Sequence, residues 1–170
     1  MFHLPEHLRL YLVTDEHPQL FERVEAALRG GVTCVQLRMK QASFETFLTT
    51  AQKMKQLCRA YHVPFIVNDH AEIARMVQAD GLHIGQKDLA YSDARQIVGP
   101  DLPIGVSVHT VEQAIQAEQG GAAYLGVGSL FPTKSKSDAE LVSLDTLKQI
   151  RENVSIPIVV IGGINLQTLP

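Results

Sequence analysis

Seven short apolar runs punctuate the chain, at residues 9–14, 33–38, 64–68, 81–85, 103–107, 123–128 and 157–162. Most are apolar at consecutive positions, with no polar alternation, which is the pattern of strands buried on both faces of a parallel sheet. Between them the apolar period lengthens to that of a helix, over 19–29, 44–61, 71–78, 93–98, 111–119 and 144–153. The predicted order is a repeating β–α unit with seven strands and six helices. Gly30-Gly31 and Gly120-Gly121 supply stop signals for two helices, and Thr110 with Gln113 reads as a capping box for the fifth. No segment has linker or low-complexity composition, so one domain spanning 1–170 is expected.

Two architectures accept such a repeat, an open doubly wound sheet and a closed (β/α)8 barrel. The first turn after a strand, Thr14-Asp15-Glu16-His17-Pro18, lacks a glycine-rich dinucleotide loop. Polar residues follow nearly every strand instead of collecting at one switch point, which favours the TIM barrel. That fold needs an eighth strand to join the seventh to the first. The sequence stops at Asn165-Leu166-Gln167-Thr168-Leu169-Pro170, where a seventh helix would begin, so the expectation is a barrel truncated after strand 7, with about 40 residues missing. The free edges of strands 1 and 7 would then invite association into a homo-oligomer, with impaired turnover as the expected consequence.

Composition narrows the partners. The net charge is −3, from 15 basic and 18 acidic residues spread along the chain. Such a balance offers neither a basic stripe for nucleic acid nor a polybasic arm for a membrane, so small molecules are the expected partners. Cys34 and Cys58 have no CxxC spacing, and no secretory signal precedes them. They read as reduced, packed thiols of a soluble cytoplasmic protein.

The candidate chemistry lies where strands end. Gln36, Arg38 and Lys40 share one parity, with Val35 and Leu37 on the other, so on a strand the three polar side chains share a face. Arg38 offers a fork of donors and Lys40 a point charge, a combination suited to diphosphate oxygens. Asp69 follows Asn68 beyond strand 3, and Asp88 lies beyond strand 4. In a barrel those strand ends are neighbours about 4.8 Å apart, close enough for two carboxylates to share one Mg2+ completed by phosphate oxygens and water. Taken singly, Asp69 also reads as a helix cap and Asp88 as a turn residue. The loop Pro132-Thr133-Lys134-Ser135-Lys136-Ser137 is rich in hydroxyl and ammonium groups and long enough to close over an anion, Lys136 neutralising charge on a departing group. Gly162-Gly163 after strand 7 permits close backbone approach to a phosphate at a helix start. His109 ends strand 5 beside Ser107 as a proton shuttle or polariser, and His83 is placed inside strand 4 as a core hydrogen-bonder. His3, His7, His17, His62 and His70 show no metal-ligand spacing and read as structural or surface residues.

Read together and in order, 31–40 (Gly-Val-Thr-Cys-Val-Gln-Leu-Arg-Met-Lys), 65–69 (Phe-Ile-Val-Asn-Asp), 79–88 (Ala-Asp-Gly-Leu-His-Ile-Gly-Gln-Lys-Asp), 105–109 (Gly-Val-Ser-Val-His), 126–136 and 161–164 (Ile-Gly-Gly-Ile) resemble the thiamin phosphate synthase family. The resemblance covers nearly the whole chain. It implies a TIM barrel that joins 4-amino-2-methyl-5-hydroxymethylpyrimidine diphosphate to a thiazole phosphate, releasing pyrophosphate. It further implies that Gln36, Leu37, Arg38, Met39, Lys40, Asn68 and Lys136 hold the pyrimidine diphosphate, that Asp69 and Asp88 ligate Mg2+, and that Ser107 positions the pyrimidine. Thr133, Lys134, Ser135 and Gly163 would face the thiazole phosphate, and Lys136, Arg38 and Ser107 would carry the catalytic burden. The implied mechanism is dissociative: pyrophosphate departs first and the thiazole nitrogen captures the pyrimidine cation. Two alternatives stand beside it. One is the related thiazole tautomerase, which would use His109, and the other is a silent phosphate-binding barrel.

Overall fold

A computed structural model describes residues 4–132, 141–165 and 167–168. After a short 3-10 turn at Glu6–Leu8, the described elements alternate as the sequence predicts: β1 (Tyr11–Val13), α1 (Leu20–Arg29), β2 (Cys34–Leu37), α2 (Phe44–Ala60), β3 (Phe65–Asn68), α3 (Ala71–Met76), β4 (Gly81–Ile84), α4 (Tyr91–Val98), β5 (Ile104–Val108), α5 (Val111–Gln119), β6 (Tyr124–Val127), α6 (Leu144–Asn153) and β7 (Ile158–Val160). All seven strands are parallel and pair in sequence order.

The sheet is curled into a nearly closed barrel. In a flat sheet β1 and β6 would lie about 24 Å apart. Instead the Tyr11 and Tyr124 hydroxyls meet at 2.7 Å across the interior. Strand parity assigns each side chain to a layer. Val35, Leu37, Phe65, Val67, Leu82, Ile84, Ile104, Val106, Val108, Leu125 and Val127 belong to one apolar cluster with Phe47, Met54, Ile73, Ala94, Ala114 and Ile150 of the surrounding helices. The alternate positions, Tyr11, Cys34, Gln36, Ile66, Asn68, His83, Ser107 and Tyr124, make up the barrel's interior. Burial pushes the Cys34 thiol far up and the Cys58 thiol to about 12, so both stay protonated and act as packing groups.

Local chemistry explains the boundaries. The strands are shorter than the apolar runs because Pro64, Pro103 and Pro157 have no N–H to donate, although their carbonyls still accept from Val35, Leu82 and Leu125 at 2.9–3.1 Å. Ser43 and Ser143 cap α2 and α6 through the amides of Thr46 and Thr146, caps not anticipated from the sequence. Thr110 accepts from the Gln113 amide, but the Gln113 side chain reaches past the cap to the His109 N–H, a capping box displaced by one residue. Gly30-Gly31 and Gly120-Gly121 end α1 and α5 as expected, the second glycine of each pair at φ 95° and 94°. His70 precedes α3 and packs its ring against Phe47, and the His17 ring accepts from the Gln19 amide, so both are structural.

Gly105 faces Tyr124 in register, and its lack of a side chain is what admits the ring: a Cβ there would sit 2.1 Å from Tyr124 Cζ. Gly105→Ala is expected to cost about 1–3 kcal/mol through overpacking. Urea unfolding of the variant checks this, and an unchanged midpoint would contradict the tight fit.

Candidate active site

The carboxyl ends of β1 to β5 and the turns that follow them bring the predicted polar residues to one rim. At β2 the chain is tied to the end of β1 twice. Thr14 N donates to Gln36 O at 2.9 Å, and Arg38 N donates to the buried Thr14 hydroxyl at 3.0 Å. These bonds fix the backbone of Arg38, whose guanidinium has no protein partner among the described residues. Gln36 is buried and points into the barrel, donating from Nε2 to the Tyr11 hydroxyl at 2.8 Å. Leu37 is fully buried among the helices, so only its backbone faces the rim, and Met39 packs at the core's edge. Parity along a continued strand predicts Lys40 on the same face as Gln36 and Arg38. The strand ends at Leu37, and Lys40 reaches the rim from the following loop.

Lys40 joins the two predicted metal ligands. Its ammonium forms a very short ion pair with Asp69 and lies 3.5 Å from Asp88 Oδ1. The backbone of Asp69 is left-handed, φ 64°, a conformation that an aspartate tolerates better than most residues. It is not the cap of α3, whose N-cap residue is His70. Asp88 does have the turn role expected of it, Oδ2 accepting from Gly85 N at 2.9 Å, which leaves Oδ1 toward Lys40. Burial and the neighbouring Asp88 carboxylate push Asp69 above the usual carboxylate range, against the pull of Lys40. Burial alone would raise Asp88 too, but hydrogen bonding with Asp69, the Lys40 charge and the Gly85 amide hold it below that range. Two hard oxygen donors converging on one cationic group fit Mg2+, for which one or two carboxylates suffice. Among the described residues no cluster of three or more His, Cys, Asp or Glu could hold a metal.

Below the rim runs a chain of hydrogen bonds that sequence reasoning only partly anticipated. Tyr124 Oη lies 3.2 Å from His83 Nδ1, and His83 Nε2 lies 2.9 Å from Ser107 Oγ. With Gln36, Tyr11 and Tyr124 this makes a continuous path from β2 to β5. His83 is the core hydrogen-bonder it was expected to be; Tyr11 and Tyr124 were not singled out. Their signal was a tyrosine at inward parity with glycine opposite, as in the pair Tyr124 and Gly105. Ser107 is half-buried, and its carbonyl accepts from Gln86 Nε2 at 2.7 Å. Asn68 ends β3 beside His83 in the register.

Gly162 and Gly163 have φ 96° and 67°, and they bring the β7 end against the β6 loop: a Cβ on Gly162 would lie 1.9 Å from Ser129 Oγ, and one on Gly163 2.6 Å from Phe131 Cβ. The predicted close approach is made to the chain itself, and beyond it Thr168 N donates to Asn165 O and Gln167 N to Asn165 Oδ1. Thr133, Lys134, Ser135 and Lys136 lie outside the described residues. A surface depression of about 510 Å3 lies at the other end of the barrel, beside Asp80 and Pro103 where β4 and β5 begin, and contains none of the candidate residues. No helix among the described residues is long and apolar enough to cross a membrane.

Comparison with known proteins bears on this rim. The family model described as thiamine monophosphate synthase matches residues 10–170. A thiamine-phosphate synthase of Clostridium acetobutylicum is 48% identical over 161 residues, covering 92% of this chain and 76% of the relative. One from Clostridium tetani is 49% identical over 160 residues, covering 92% and 77%. Among solved structures, the thiamine phosphate pyrophosphorylase of Pyrococcus furiosus superimposes with a TM-score of 0.86 at 40% identity, covering 96% of this chain and 79% of its own. These names favour the synthase reading over the tautomerase one.

His83 provides a test of the buried site. Burial in the barrel holds its pKa down at about 4, against about 6.5 in an unfolded chain, with Asp88 opposing weakly. The unfolded state therefore binds the proton more readily, and the stability tied to neutral His83 is complete above pH 6.5 and lost as pH falls toward 4. Between pH 7.5 and 4.5 the loss is about 2–3 kcal/mol. Urea unfolding at both pH values, compared with His83→Gln, checks this. An equal loss in the variant would assign the acid sensitivity to other groups.

Proposed function

The chain belongs to the thiamine monophosphate synthase family, and from that premise we propose how its residues carry the coupling of 4-amino-2-methyl-5-hydroxymethylpyrimidine diphosphate to thiazole phosphate. The observation that carries the reading is the convergence of Asp69, Asp88 and Lys40 next to the Arg38 backbone tether and the buried Gln36. Negative and positive groups side by side suit a substrate that arrives as a diphosphate with its cation.

In this reading Asp69 and Asp88 hold Mg2+, which when bound offsets charge on the diphosphate oxygens. Arg38 and Lys40 hold the remaining oxygens, Arg38 as a planar fork and Lys40 as a mobile point charge. Asn68, with the backbone of Leu37 and Met39, shapes the wall of that pocket, and Gln36 and Ser107 hold the pyrimidine over the barrel interior. Lys136 neutralises the departing pyrophosphate, while Thr133, Lys134, Ser135 and Gly163 receive the thiazole phosphate. The bond from the pyrimidine methylene to oxygen breaks first, its electron pair leaving with pyrophosphate, and the thiazole nitrogen then attacks the cation. Such an ionisation needs charge neutralisation and a water-poor cavity more than a strong base. The lining of Gln36, Tyr124 and His83 is buried and uncharged, which keeps bulk water from the cation. The reading places the enzyme in the cytoplasm, where small phosphorylated substrates are its partners.

A coupled assay of the 170-residue chain with both substrates and Mg2+, following pyrophosphate and thiamin phosphate together, tests the reading. Matched formation of both products, abolished by chelation, is expected. Pyrophosphate released without thiamin phosphate, or coupling indifferent to chelation, would contradict it.

A further inference from the structure

The interior hydrogen-bond path has a direction, and the direction has a consequence for specificity. Burial pushes the ionisation of Tyr11 and Tyr124 well above the ordinary range, so each hydroxyl carries its single proton. His83 is neutral and has one N–H to place. In such a chain each hydroxyl accepts from one neighbour and donates to the next. Gln36 Nε2 donates to Tyr11 Oη at 2.8 Å. The Tyr11 proton therefore goes to Tyr124 at 2.7 Å, and the Tyr124 proton to His83 Nδ1 at 3.2 Å. That leaves the imidazole proton on Nε2, directed at Ser107 Oγ 2.9 Å away. The Ser107 hydroxyl, already accepting from His83, has its own proton free to donate outward. At the other end Gln36 has given an N–H, which leaves its carbonyl oxygen to accept.

We propose that Gln36, Tyr11, Tyr124, His83 and Ser107 form a one-way hydrogen-bond relay that presets Ser107 as a donor and the Gln36 carbonyl as an acceptor, selecting a pyrimidine with an amino group beside a ring nitrogen over its 4-oxo counterpart. The relay rests on the reading that Gln36 and Ser107 hold the pyrimidine. An aminopyrimidine edge offers an N–H to an acceptor and a ring nitrogen to a donor. The oxo form reverses both and leaves buried polar groups facing their own kind. His83 acts here as a positioning residue, and the space its ring needs is kept by Gly126, where a Cβ would lie 3.0 Å from His83 Cε1.

Two measurements test the relay. In the 15N-labelled full chain at pH 7, the imidazole nitrogens report the tautomer directly: the relay requires His83 protonated on Nε2, and protonation on Nδ1 overturns it. Then kcat/KM is compared for the 4-amino and 4-oxo pyrimidine diphosphates. The wild type is expected to prefer the amino form by at least about 100-fold. Tyr124→Phe, which removes the hydroxyl that fixes the tautomer, should narrow that preference about tenfold. Tyr11→Phe, one step further back with the same ring shape, should narrow it in the same direction. Equal losses on both substrates in both variants would mean that the tyrosines only support the fold, and would overturn the proposal. Turnover of neither substrate by the wild type would count against the functional reading, and the tautomer would still decide the relay's direction.

Discussion

Burial of each central strand on both faces governs this molecule. A strand covered by helices outside and by its opposite neighbours inside has no solvated face, so alternate side chains divide the work. The outward positions are uniformly apolar because they meet α1 to α6. The inward positions can be polar where they find partners or open toward the rim: among the described residues no fully buried side-chain nitrogen or oxygen lacks a hydrogen bond. Gly105 and Gly126 make this satisfaction geometrically feasible by giving up volume to Tyr124 and His83. The barrel floor is thus a close-fitted polar layer.

Above that floor the charges are arranged to be exchanged. Lys40 offsets part of the repulsion between Asp69 and Asp88, and burial with the neighbouring carboxylate still pushes Asp69 upward. Lys40 is the most exposed member of the trio, on a flexible four-carbon stem, and is the one free to turn to an arriving phosphate. The carboxylates are held by backbone geometry instead, Asp69 by its left-handed conformation and Asp88 by the Gly85 amide.

The sequence was informative wherever one residue's chemistry decided the outcome. Runs of apolar residues announced every strand, and the glycine pairs announced two helix ends. Asp69 and Asp88 could be brought together because neighbouring strands have a fixed spacing. The reading failed where a side chain's destination depends on the three-dimensional path. Lys40 was carried along the strand by parity, but the strand stops at Leu37 and the loop delivers it. The close approach expected of Gly162-Gly163 is made to Ser129 and Phe131, residues distant in sequence that no local pattern names. The meeting of Tyr11 and Tyr124 requires six strands to curl, which no local pattern encodes.

If the carboxylate pair binds the diphosphate substrate through a shared cation, substrate affinity depends on both Asp69 and Asp88. Titration calorimetry of pyrimidine diphosphate into wild type, Asp69→Ala and Asp88→Ala, each with and without Mg2+, tests it most directly. Mg2+-dependent binding is expected in the wild type, with its loss in both variants and unfolding free energies within about 1 kcal/mol of wild type because both residues lie at the rim. Unchanged, Mg2+-dependent affinity in both variants would contradict it.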